Sequence, residues 1–218
     1  MWPELPLAMG RAAPATYLAL GDSYSIGESV PEAGRWPVQL ATALREHGVA
    51  IADPRIIATT GWTTDELSAA MAVAEPLGRW DFVSLLIGVN NQYRGRDVAE
   101  YQVEFTGLLR RAVALAGDRA SRVLVLSIPD WGVTPFGAGS GRDTAEVARQ
   151  LDAYNAAARS VCAELGVAFV DITAVSRALG ARAGMVAEDG LHPSAAMYAE
   201  WTRLALPAAR GLLTSCPL

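Results

Sequence analysis

Only two histidines occur among the 218 residues, His47 and His192, and that scarcity narrows the acid–base chemistry open to the chain. A serine nucleophile needs a neighbouring base, most often histidine. His192 lies in Asp189-Gly190-Leu191-His192-Pro193. Asp189 stands three residues before it, and Gly190 lets the segment bend so that the carboxylate reaches one ring nitrogen and leaves the other free. That is the acid–base pair of serine hydrolysis. A capping aspartate beside an unrelated loop histidine has the same spacing, and spacing does not separate the two readings. His47 precedes Gly48 at the end of an apolar-periodic segment. There a protonated imidazole suits the helix dipole, so a surface capping role is sufficient.

The matching nucleophile is sought in Ala19-Leu20-Gly21-Asp22-Ser23-Tyr24-Ser25-Ile26-Gly27. An apolar run, Tyr17 to Leu20, stops at a glycine, an aspartate and a serine. A buried strand delivers a polar side chain to a sheet edge in this way. Ser23 competes with Ser25, and neither completes a Gly-x-Ser-x-Gly elbow. Ser23 is nearer the strand end and is preferred; Ser25 is read as a turn hydroxyl. Asp22 is assigned a structural role, bonding to nearby backbone and shaping the turn. A tetrahedral intermediate also needs donors aimed at the developing oxyanion. Gly61 allows close approach of a backbone N–H, and Asn90 carries an uncharged side-chain donor. Alone, Gly61 reads as a turn glycine and Asn90 as a turn or cap residue; the case rests on the conjunction.

These residues are separated by segments that alternate in character. Strands are predicted at Tyr17–Leu20, Arg55–Ala58, Phe82–Ile87, Arg122–Ile128 and Val167–Val170. Helices are predicted from Trp36 to His47, from the Thr63/Glu66 capping pair to Ala74, from Asp97 to Gly117, through Val147–Leu165, over Ala174–Leu179, and from Pro193 to about Arg210. Ile26–Arg35, Asp130–Arg142 and Met185–His192 read as loops. Alternating strands and helices imply a parallel sheet covered on both faces, a three-layer sandwich. In such sheets ligands sit outside the carboxyl ends of the strands, which is where Ser23, Gly61, Asn90 and Asp130 fall.

Taken together, the blocks resemble the GDSL-type esterases and lipases of the SGNH hydrolase superfamily. The matches are Gly21-Asp22-Ser23 (with Tyr24 where leucine is often found), Gly61, Gly88-x-Asn90 and Asp189-x-x-His192-Pro193, all in order over nearly the whole chain. The resemblance implies a flavodoxin-like α/β/α sandwich with a five-stranded parallel sheet. It implies Ser23 as nucleophile, His192 as base and Asp189 as its orienter, with oxyanion donors from the Ser23 and Gly61 amides and the Asn90 side chain. One departure is Asn91, where the third block usually has aspartate; it is expected to alter the hydrogen bonding around Asn90 without abolishing activity. The implied activity is hydrolysis of carboxylic, short-chain acyl esters through an acyl-enzyme, with no metal and no organic cofactor. Trp131, Phe136, Tyr93 and Arg94 are expected to shape the substrate pocket.

Composition sets the limits. A hydrophobic fraction of 51% and a charged fraction of 19% supply a core and argue against disorder. The net charge of −5, without a basic block, makes nucleic acid a poor partner. Cys162 and Cys216 read as free thiols rather than a disulfide or a metal pair. No apolar run is long enough for a membrane span, and Met1–Ala15 has no leader pattern, so a cytoplasmic protein is expected. Residues 1–14 read as a loose extension with Met9 as an alternative start, and 15–218 as one catalytic domain. Rival readings are acyl transfer or thioester hydrolysis on the same triad, a metal phosphoesterase using Asp22, Asn90, Asp189 and His192, and a non-catalytic ligand- or carbohydrate-binding module.

Overall fold

A computed structural model of the chain describes residues 13–214. Most of the expected N-terminal extension, including Met9, and Cys216 lie outside the described residues. Five strands, β1 (Tyr17–Gly21), β2 (Arg55–Ala58), β3 (Phe82–Leu86), β4 (Val123–Leu126) and β5 (Ala168–Val170), form one parallel sheet in the order β2-β1-β3-β4-β5. All five predicted strands are present, β2 with the predicted bounds and the others with ends shifted by at most two residues. β1, β3 and β4 are buried along their whole length, whereas β2 starts exposed and β5 is half-buried. Continuous apolar runs belong in the middle of a sheet covered on both faces, and mixed ones at its edges.

Helices α2 (Trp36–Glu46) and α9 (Ala195–Thr214) pack together over one face. Helices α3 (Thr64–Val73), α5 (Val98–Leu115) and α7 (Thr144–Leu165) pack in succession over the other. The result is the expected three-layer α/β/α sandwich. Helix ends follow the local chemistry. Thr63 and Glu66 close a capping box on α3. Asp97 accepts the Ala99 amide, and Asp143 accepts those of Ala145 and Glu146. His47 caps α2, its Nδ1 lying 2.8 Å from the Ala43 carbonyl oxygen.

Three short helices occupy segments read as loop or turn: α1 (Ser23–Ile26), α4 (Val89–Tyr93) and α6 (Pro135–Gly139), while α8 (Thr173–Leu179) is as expected. One turn of helix is too short to carry an apolar period, so pattern reading passes over it. Pro193 does not open the last helix as predicted. It pairs with Val186 in an isolated antiparallel bridge, and Ser194 caps α9 by accepting the Met197 amide on its hydroxyl. α9 then runs through Pro207 to Thr214, beyond the predicted end near Arg210. The chain leaves β1 toward β2 on one side and returns to β3 on the other. The carboxyl ends of β1 and β3 thus border the crevice where ligands bind in open sheets of this kind.

Candidate active site

Ser23 opens α1 directly after β1, so the strand end fixes its position and the helical turn its direction. The turn leaves no room for a larger residue at Gly21. A Cβ there would stand 2.5 Å from the Leu86 carbonyl oxygen and closer still to the Ser25 side chain. Ser25 is fully buried, as a turn hydroxyl would be. Asp22 is also fully buried; its Oδ1 accepts the Tyr24 amide at 3.0 Å, and its Oδ2 has no partner among the described residues. Burial pushes the Asp22 carboxyl up to about 7, against the pull of the Tyr24 amide and of its own backbone.

The segment before α9 is folded around the Asp189 carboxylate. Oδ1 accepts the Leu191 amide at 2.8 Å and the His192 amide at 2.9 Å. Oδ2 takes the Ser29 hydroxyl at 2.7 Å and lies 2.7 Å from His192 Nδ1. Partial burial raises this carboxyl, but the Leu191 amide, the Ser29 hydroxyl and His192 outweigh it and hold Asp189 at about 2. An ionised carboxylate only accepts, so His192 is the donor through Nδ1, and Nε2 is the ring nitrogen left outside this pair. Ser29, in a left-handed conformation (φ 64°), was not found by sequence reasoning. Its hydroxyl comes from 160 residues upstream, and no local pattern signals it.

Gly61 ends the turn that follows β2, with φ +88°, a conformation that favours glycine. Among the described residues, neither its amide nor that of Ser23 is taken up by a turn or cap hydrogen bond. Asn90, in α4, donates one side-chain hydrogen to the Trp62 carbonyl at 2.9 Å and keeps a second. Asn91 points away from this centre. Fully buried, it accepts the Thr64 amide at 3.1 Å and donates to the Thr64 hydroxyl at 2.6 Å. The Thr64 hydroxyl in turn donates to Glu104. Asparagine therefore ties α4 to the start of α3, behind the Gly61 turn.

Ser23, Gly61, Asn90 and His192 line one cleft of about 220 Å³. Tyr93, Trp131 and Phe136, expected to shape the pocket, line it too, joined by Tyr24, Thr60, Val89 and Leu191. Trp131 is held by its Nε1, which donates to Gln92 at 2.9 Å, and it faces Tyr93 and Phe136 at ring-centroid distances of 5.4 and 6.0 Å. The Phe136 amide donates to the Gly190 carbonyl at 2.9 Å, anchoring the aromatic wall to the histidine segment. Arg94 is not among the lining residues; its guanidinium reaches the outer side of the Gly61 turn. Asp130 is buried in an ion pair with Arg177 at 2.8 Å, a structural role. Among the described residues no three His, Cys, Asp or Glu side chains converge as metal ligands would. No helix among them is long and apolar enough to cross a membrane.

The cleft thus holds Ser23, Gly61, Asn90 and a His192 imidazole whose Nδ1 lies against the Asp189 carboxylate. The same architecture recurs in solved structures. TesA is 22% identical, with a TM-score of 0.69 over 91% of this chain and 99% of that one. A lipase/acylhydrolase from Enterococcus faecalis is 17% identical, with a TM-score of 0.66 over 94% and 100%. Axe2, an acetylxylan esterase from Geobacillus stearothermophilus, is 20% identical, with a TM-score of 0.66 over 90% and 94%. At these identities the likeness carries the fold alone. No match was found among curated proteins. The family model of the GDSL-like lipases and acylhydrolases matches residues 19–200, from β1 into α9. This span takes in the serine, the glycine, the asparagine and the Asp–His segment, and the chain belongs to that family of serine hydrolases.

Proposed function

We propose that the protein hydrolyses short-chain acyl esters through an acyl-Ser23 intermediate. One observation carries the reading: Ser23, His192, Gly61 and Asn90 share one cleft, with His192 Nδ1 fixed on Asp189. Ser23 Oγ attacks the ester carbonyl carbon and its proton passes to His192 Nε2. The carbonyl oxygen, now an oxyanion, is met by the Ser23 and Gly61 amides and the free Asn90 side-chain hydrogen. Collapse breaks the bond to the alkoxide, which takes the proton from His192 and leaves as alcohol. Water repeats the sequence on the acyl-enzyme and releases the acid. The mostly apolar walls and the cleft volume of about 220 Å³ favour an acyl group of few carbons.

Hydrolysis of p-nitrophenyl acetate, butyrate and octanoate, compared with an acetylated oligosaccharide, tests both the chemistry and the chain length. Ser23→Ala is expected to lower kcat by about a thousandfold or more with the fold intact. A fluorophosphonate is expected to label the wild type and not the variant. Full activity in Ser23→Ala removes the proposal. A preference for octanoate over acetate would discard the short-chain assignment.

A further inference from the structure

Gly61 is an exacting place for an oxyanion donor. A Cβ built there would meet nothing within 4 Å, so no neighbouring group is packed against that side of its Cα. The turn's own hydrogen bond, from the Trp62 amide to the Thr59 carbonyl, is long at 3.3 Å. A glycine with a positive φ and open space around it is free to rotate its peptide groups. The orientation of its N–H therefore depends on what grips the neighbouring atoms.

Thr60 and Trp62 are held by Glu28 and Asn90, and the Gly61 carbonyl itself is gripped by Arg94. Its guanidinium donates to the Gly61 carbonyl at 2.7 Å. It is squared against Glu66, with NH1 on Oε1 and NH2 on Oε2, both at 3.2 Å. Glu66 is itself anchored, since Oε2 accepts the Thr63 amide at 2.9 Å. Through its backbone N–H, Arg94 also donates to the Asn90 carbonyl at 3.0 Å. One residue thus spans both segments that would supply the distal oxyanion donors. The pair is nearly half exposed, at 43% for Arg94 and 39% for Glu66, so its worth as an ion pair is small. Its geometric effect is not, because a planar guanidinium can hold a carboxylate and a carbonyl together.

We propose that Arg94 is a positioning residue of the oxyanion site, holding the Gly61 peptide so that its N–H faces the developing charge. The inference rests on the assignment of Ser23 and its donors above. It predicts a loss that appears in the transition state and not in substrate binding. With p-nitrophenyl acetate, Arg94→Met is expected to lower kcat by about tenfold with KM within about twofold. Arg94→Lys, which can reach the carbonyl with one donor but cannot grip Glu66 in two places, should fall between the two. The rate of inactivation by a p-nitrophenyl phosphonate, which makes a tetrahedral Ser23 adduct, should drop in step with kcat. Glu66→Gln keeps an acceptor for the Thr63 amide and should give a smaller loss in the same direction. A kcat within twofold of wild type in Arg94→Met overturns the inference, as does a rise in KM at constant kcat, which would make Arg94 a substrate contact. A Ser23→Ala variant that keeps activity would instead bring down the site assignment.

Discussion

Asp22 is the residue whose environment is most at odds with its charge. It is buried, it precedes Ser23, the proposed nucleophile, and it satisfies one oxygen on the Tyr24 amide while the other has no protein partner among the described residues. Its carboxyl is raised from an ordinary value of 3.8 to about 7. A group raised in the folded state contributes its full stability below the unfolded value and loses it as pH rises through the folded one. The Asp22 contribution therefore declines between about pH 4 and pH 7. Asp22→Asn keeps the acceptor for the Tyr24 amide and removes the ionisation. Relative to wild type, the variant should gain about 2 kcal/mol between about pH 5 and pH 8 in urea unfolding. An equal difference at both values would mean that the Asp22 carboxyl is not raised in the fold and ionises there as it does in the unfolded chain. Asp189 behaves oppositely. Lowered to about 2, its contribution is present above about pH 4 and is lost as pH falls toward 2. The proposed base was legible because histidine occurs only twice in the chain, at positions 47 and 192. Ser29 and the function of Arg94 were not, because their partners are a carboxylate and a backbone carbonyl far away in sequence.

Elements with a long apolar period or a continuous apolar run could be read directly, and their caps with them. Elements of one turn could not. This matters for the site, since Ser23 and Asn90 both sit in such turns, and tertiary contacts decide their conformation. The end of β4 is one example. Asn155 of α7 accepts the Ile128 amide at 2.8 Å and donates to the Ile128 carbonyl at 3.0 Å, replacing a missing strand neighbour before Trp131. Nothing at Ile128 itself announces that partner. The cap of α7 gives a test that separates element stability from chemistry. Asp143 is exposed and accepts two amides of the first turn. Asp143→Ala should cost about 1 kcal/mol and lower the melting midpoint by a few degrees, with kcat unchanged. Calorimetry and an esterase assay on the same sample check both halves.

At the scale of the molecule, the core runs continuously from the sheet into both helical layers. Cys162 reports on it. The thiol is fully buried in α7, and burial pushes it up to about 12. In a Cys216→Ser background, Ellman's reagent should leave the native protein unlabelled and titrate one thiol in denaturant, with a native rate that follows global opening. Rapid labelling under native conditions would mean that α7 opens on its own. The architecture was predictable from strand–helix alternation, whereas the register of the Asp189 segment against Ser29 depended on the finished sandwich. The Ser29–Asp189 bond has a further consequence for biosynthesis. Chains are made from the amino end, and N-terminal parts organise first. Here Ser23, Gly61 and Asn90, the proposed nucleophile and distal donors, are translated early, while Asp189 and His192 arrive only just before the final helix. On the proposed assignment, a ribosome-bound nascent chain lacking residues 189–192 has Ser23 but no His192 to deprotonate it, so esterase competence waits for the Asp189–His192 segment to emerge.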